Sequence, residues 1–181
     1  NYWHNHDAWL RSYHQAAPHG RFCAVLALKQ DDNNRYFLCE QPKDSKLFDE
    51  PPWPEVMQRP TTLRIVIDQC RVGLKTKEGL PAKKPTELIS NSMLLLKPFE
   101  NLRCKGNHEH GHLIGGRAAA AQVWTWELAS RMVEGILLLK RQLRKTYRYY
   151  AFPSIGTEIE DGDTKTPVRF KWKCNACRNN I

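Results

Sequence analysis

Thr61-Thr62-Leu63-Arg64-Ile65-Val66-Ile67 is the run on which the fold turns. Rich in β-branched residues and alternating in character, it predicts a central strand with Leu63, Ile65 and Ile67 facing one way. Toward the N-terminus, residues 35–39 predict a buried strand, and residues 86–90 predict a third strand on the other side. Between them, residues 42–60 are Pro-rich with a short helix expected at 55–58, and residues 73–85 form an exposed basic loop carrying Lys75, Lys77, Lys83 and Lys84. Asp7 is the expected cap of a helix running to about residue 17, where Pro18 and Gly20 should end it. A second helix over 21–30 then closes on Asp31-Asp32-Asn33-Asn34.

On the C-terminal side, residues 118–144 predict a long helix. Trp124, Leu128, Met132, Ile136, Leu139 and Leu143 fall on one stripe, which reads as core. The order is helix, strands, long helix and a strand-rich tail, an α/β or α+β class with a small central sheet flanked by helices. Residues 1–146 are the expected core domain, and 147–181 a basic, strand-rich, zinc-stabilised tail packed on it.

A chain of 181 residues with 41% hydrophobic and 26% charged residues is globular in profile and long enough to bury a core without disulfides. Six cysteines, at 23, 39, 70, 104, 174 and 177, are therefore expected as reduced thiols, which points to an intracellular location, nuclear or cytoplasmic. Cys23 and Cys39 sit in apolar runs and read as core cysteines. The longest strongly apolar stretch, residues 136–139, is far too short to cross a bilayer, so no membrane partner is expected. The first residues, Asn1-Tyr2-Trp3-His4-Asn5-His6, lack both a signal-peptide pattern and an initiator Met, and suggest a fragment of something longer.

The net charge of +9 is polarised. Residues 140–181 carry ten basic against four acidic side chains, six of the nine net charges. Lys140, Arg141, Arg144, Lys145, Arg148, Arg169, Lys171 and Lys173 alternate with Tyr147, Tyr149, Tyr150, Phe170 and Trp172. That suits a nucleic acid, because cations meet phosphates and rings stack on bases. Lys83 and Lys84 are a second expected phosphate contact. DNA is favoured over RNA.

Two clusters carry the most specific chemistry: Cys104-x3-His108-x-His110-x-His112 and Cys174-x2-Cys177. A Cys-x2-Cys turn holds two thiolates at the right separation for one tetrahedral Zn2+, and two further N or S donors complete the site. The expected ligands are Cys174 and Cys177 with Cys104 and either His108 or His110. A redox Cys-x2-Cys is the rival, but that pair normally opens a helix after a strand.

Glu40-Gln41-Pro42-x2-Ser45, Asp68-Gln69-Cys70-x2-Gly73, Lys84-Pro85-Thr86 and Cys104-x-Gly106-x-His108-x-His110, taken in order, resemble a domain of retrotransposon-like mobile-element polyproteins. The resemblance covers residues 35–135. More remotely, the region is similar to C5-cytosine DNA methyltransferases, where a glutamate at a strand end holds the flipped base. Only Glu40 carries over, as a base-contacting carboxylate at the C-terminal end of a strand. The Pro-Cys nucleophile of that family has no counterpart here.

Residues 108–116 also resemble HNH-type nucleases, which would make His110 a general base beside a divalent metal. The long helix between these histidines and Cys174 departs from that family's compact unit. Glu40 and His110 are thus the two candidate catalytic residues. The expected function is a zinc-binding, nucleic-acid-binding domain without catalysis of its own; the alternatives are an HNH-type nuclease and a zinc-stabilised protein-interaction module.

Overall fold

The computed structural model describes residues 5–113 and 120–151, with side chains of 120 and 147–151 left aside. The strands are β1 (Leu38–Pro42), β2 (Leu63–Asp68) and β3 (Pro85–Ser90), and the helices are α1 (His6–Asp32), α2 (Trp53–Gln58), α3 (Met93–Leu96) and α4 (Trp126–Ala151). The class is mixed α and β, with a small three-stranded sheet and a long helix in the C-terminal half. Both pairings are antiparallel and the order is β1-β3-β2.

The central strand is therefore β3, and the 61–67 run supplies an edge. The burial explains the exchange: Thr86, Leu88, Ile89 and Ser90 are fully buried and Glu87 nearly so, whereas β2 is covered mainly on one face. That face is the expected one. Leu63, Ile65 and Ile67 join Leu88, Val72, Leu96, Phe99, Leu102, Leu128 and Met132 in the main core. Opposite, Arg64 pairs with the buried carboxylate of Glu87 at 2.6 Å.

β1 lies three residues later than expected and is half-buried. Residues 35–37 are held by side chains instead of the ladder. Asn91 accepts from the Phe37 N–H at 3.1 Å and donates to the Arg35 carbonyl at 2.8 Å, while the Ser90 hydroxyl donates to the Phe37 carbonyl at 2.6 Å. Pro42 closes the strand at an edge, where its missing N–H costs no ladder bond.

The two expected N-terminal helices are one. α1 begins at His6, capped by Asn5, whose side chain accepts from the Ala8 N–H at 2.9 Å, and it runs through Pro18. An internal proline costs a helix about 3 kcal/mol. Packing of a small-residue face offsets it: Ala17, Gly20, Ala24 and Ala27 are buried, the last two with Trp53 and Val56 of α2. A Cβ at Gly20 would collide with Leu47, and the Trp53 indole N–H donates to the Gly20 carbonyl at 2.9 Å. Gly20 thus permits close approach and does not end the helix. Cys23 and Cys39 pack against this cluster, and burial, with the nearby charges of Cys23, Glu40 and Glu87, pushes the Cys39 thiol up to about 12.

The long helix starts later than the stripe suggested. Residues 120–122 make a single 3-10 turn, and α4 opens after Thr125, whose hydroxyl accepts from the Leu128 N–H at 3.1 Å. The buried positions are Leu128, Met132, Gly135 and Leu139; Trp124 and Ile136 are exposed. Steps of four, three and four follow the helical period, whereas the repeated step of four through Ile136 drifts off the buried face. Gly135 is needed there because a Cβ would stand 2.8 Å from the Leu95 carbonyl oxygen of α3.

Among the described residues no helix is long and apolar enough to cross a membrane.

Candidate metal centre

Four donors converge where β2 ends. Cys70 lies in the 3-10 turn Gln69–Val72, directly after β2. Cys104, His108 and His110 come from the loop that follows α3. One ligand atom from each of the four lies within 4.8 Å of all the others, an arrangement that could hold a metal ion. The Cys104 sulfur is 3.7 Å from His108 Nε2 and 3.4 Å from His110 Nε2, and the two imidazoles meet edge to face with centroids 4.5 Å apart.

The local sequence builds this geometry from backbone contacts. Asp68, fully buried at the end of β2, donates its N–H to the Leu102 carbonyl at 3.0 Å, and its Oδ2 accepts from the Cys104 N–H at 2.8 Å. Cys104 is thereby fastened beside Cys70. The other oxygen, Oδ1, lies 3.4 Å from Arg103 Nη1, close enough for charge attraction though without a hydrogen bond. Gly106, with φ of +73°, turns the chain so that its N–H donates to the Cys104 sulfur at 3.4 Å.

His108 Nδ1 lies 3.2 Å from Asn107 Oδ1, and as donor to it would leave Nε2 free to bind a metal. Burial, then the positive neighbours His108 and Lys83, hold His110 below its ordinary imidazole value, which favours the neutral, ligand-competent form. Burial pushes the Cys70 thiol up to about 11, helped by Cys104 and Asp68 and opposed by Lys83. A bound cation would reverse that preference, since thiolates coordinate metals.

A small hairpin supports the loop. Residues 74–82 fold back on themselves, with Thr76 N–H donating to Leu80 O at 2.8 Å and Ala82 N–H to Leu74 O at 2.9 Å. Leu74 and Ala82 are buried with Ala121, and Leu113 packs on them. The Gly111 N–H then donates to the Pro81 carbonyl at 2.9 Å, and a Cβ at Gly111 would strike Thr76 and Leu80. Gly111 is the close approach that seats the histidine loop on the hairpin. The segment expected as a plain basic loop is thus a structural platform with Lys75, Lys77 and Lys83 outward.

Of the expected metal ligands, Cys104, His108 and His110 are brought together; Cys174 and Cys177 lie outside the described residues. Cys70 went unassigned in the sequence, although it closes the Asp68-Gln69-Cys70 motif. The signal was a third cysteine one turn beyond a strand, without the short spacing that marks a ligand pair.

Among the expected nucleic-acid contacts, Lys83 is exposed, whereas Lys84 is half-buried and donates to the Ala121 carbonyl at 2.9 Å. Lys140, Arg141, Arg144 and Lys145 are exposed on α4, and Arg148 falls within its span. Arg169, Lys171 and Lys173 lie outside the described residues.

Glu40 sits in the middle of β1, opposite Leu88, in an antiparallel sheet. It is therefore not at the strand end expected of it. Its carboxylate accepts from Gln69 Nε2 at 3.3 Å and from the Trp124 indole N–H at 3.1 Å. Glu40 thus ties the turn before Cys70 to the start of α4.

In comparison with known proteins, no family model, curated protein or solved structure matches this chain.

Proposed function

We propose that this chain is a zinc-stabilised domain that docks on nucleic acid, in the setting of a mobile-element-like polyprotein inside the cell. The observation that carries the reading is the mutual distance of the donors. In a tetrahedral site with Zn–S of about 2.3 Å and Zn–N of about 2.0 Å, sulfur and nitrogen stand about 3.5 Å apart. The 3.7 and 3.4 Å separations around Cys104 bracket that edge. Two sulfur and two nitrogen donors favour zinc among the divalent metals, and four protein ligands close the site, as a structural ion requires.

Zinc with two thiolates and two neutral imidazoles carries no net charge, so the basic surface remains available for phosphates. Lys140, Arg141, Arg144 and Lys145 cover an arc of about 140° on α4, and the whole chain carries +9. Both histidines of the cluster turn Nε2 toward the Cys104 sulfur, which favours coordination over the general-base role that a nuclease needs.

The test combines metal analysis with binding to a labelled DNA duplex across a salt series. One zinc per chain, with affinity falling steeply as salt rises, supports the reading. Neutralising the four α4 residues should lower the salt slope by up to about 3 to 4. Binding indifferent to salt would turn the domain into a protein-interaction module. Cleavage supported by magnesium or manganese and abolished by His110→Ala would turn it into a nuclease.

A further inference from the structure

Three elements of the metal corner converge on one short segment, residues 121–127. Lys84 holds the Ala121 carbonyl at 2.9 Å, Glu40 holds the Trp124 indole N–H at 3.1 Å, and Thr125 donates its hydroxyl to the Val72 carbonyl at 2.5 Å. Val72 belongs to the same 3-10 turn as Cys70, and the carboxylate of Glu127 stands 3.7 Å from where a Gly73 Cβ would be. On the other side, the strand of the hairpin that leads to Lys83 bonds Gly111 of the histidine loop.

This firmly tethered segment presents aromatic surface to solvent. Trp126 is 87% exposed and Trp124 is 49% exposed. Large rings left in water on a rigid support are unusual unless something covers them. The surroundings are basic: Arg71 beside Cys70, Arg103 and Lys105 flanking Cys104, and Lys83 are all exposed. Three of the acidic neighbours are already engaged: Asp68 is buried and faces Arg103, Glu127 pairs with Arg131 at 3.0 Å, and Glu40 accepts from Gln69 and from the Trp124 indole N–H, which leaves Glu109 exposed.

Exposed rings and exposed cations on tethered, neighbouring segments fit a single strand better than a duplex, because only unpaired bases offer a face for stacking while their phosphates meet lysine and arginine. We propose that the metal corner is a single-strand nucleic-acid platform, with Trp126 and Trp124 stacking bases and Lys83, Arg71 and Lys105 holding the phosphates. This rests on the nucleic-acid reading above and assigns it to the start of α4 and the metal corner, apart from the basic residues 140–145 farther along that helix. Zinc then serves binding indirectly, by keeping the turn after β2, which holds Thr125 through Val72, in register with the histidine loop.

The experiment is fluorescence anisotropy of the zinc-loaded full chain with labelled oligo(dT) of about 15 nucleotides, alone and annealed to oligo(dA). The single strand should bind more tightly. Trp126→Ala, at a nearly fully exposed site, should keep the melting temperature and weaken oligo(dT) binding about tenfold or more. Lys83→Gln should lower the salt slope by about 0.7. A preference for the duplex, or unchanged oligo(dT) affinity in Trp126→Ala, overturns the platform while leaving Lys140, Arg141, Arg144 and Lys145 as the docking surface. No binding of either form would sink the nucleic-acid reading itself, and the platform with it.

Discussion

The two ends of this molecule are held together by different physics. Around α1 and α2, the close packing is apolar: Ala24, Ala27, Trp53 and Val56 are buried together, with Leu47 and Phe48 against them. Around the metal corner, Val72 and Leu102 reach into the main core, and beyond them the satellite cluster among the described residues is Leu74, Ala82 and Ala121 with Leu113. What remains there is polar: Asp68 on the Cys104 N–H, Glu40 on Gln69 and Trp124, Lys84 on Ala121. Beyond those two anchors, three buried alanine and leucine side chains do little to offset the cost of ordering the loops and the hairpin. The four gathered donors supply the missing constraint when they share an ion, since metal-binding energy then becomes folding energy.

Removing the ion is accordingly the largest expected perturbation. A chelator, or Cys104→Ser, should lower the melting temperature by about 10 °C or more, with early loss of hydrogen-exchange protection at 102–113 and 74–82. The α1–α2 side should open later. Next comes Trp53→Ala, expected to cost about 3–5 kcal/mol in a denaturant titration while leaving the metal content intact. If it released the metal, the two ends would be one cooperative unit.

Gly135→Ala probes the contact between α3 and α4. A methyl group facing the Leu95 carbonyl should cost about 1–3 kcal/mol, read as a lower denaturant midpoint with the metal retained.

The smallest effect lies in the acid limb. Burial raises the Asp31 carboxyl, but hydrogen bonds from Asn91, Arg59 and Thr61 with the Arg59 charge outweigh it and hold it below 3.8. A carboxyl whose folded value is depressed adds stability that is complete above its unfolded value and lost as pH falls through the folded one. Between pH 5 and pH 3, Asp31→Asn should therefore flatten part of the decline in urea midpoint seen in the parent chain.

The presence and order of the three strands, the presence of the long helix and the inward face of β2 were legible because periodicity and β-branching act locally, whereas the bounds of β1 and the start of α4 were not. The central place of β3 was not, since Pro85–Ser90 has no longer apolar run than β2 and gains its burial from neighbours on both edges. Pro18 and Gly20 misled for a related reason: their cost is local, while the compensation comes from Trp53 and Leu47, distant in sequence. At the site, Cys104, His108 and His110 announce themselves by spacing. Cys70 is 34 positions earlier and is delivered by the Asp68 contact to Cys104, which no ligand-spacing pattern encodes.

The central claim is that Cys70, Cys104, His108 and His110 hold zinc. Metal content by mass spectrometry, compared between the parent chain, Cys70→Ser and a Cys174→Ser, Cys177→Ser double variant, tests it most directly. The account expects about one zinc per chain in the parent and the double variant and none in Cys70→Ser. Zinc kept by Cys70→Ser and lost by the double variant would contradict it and return the ion to the C-terminal cysteine pair.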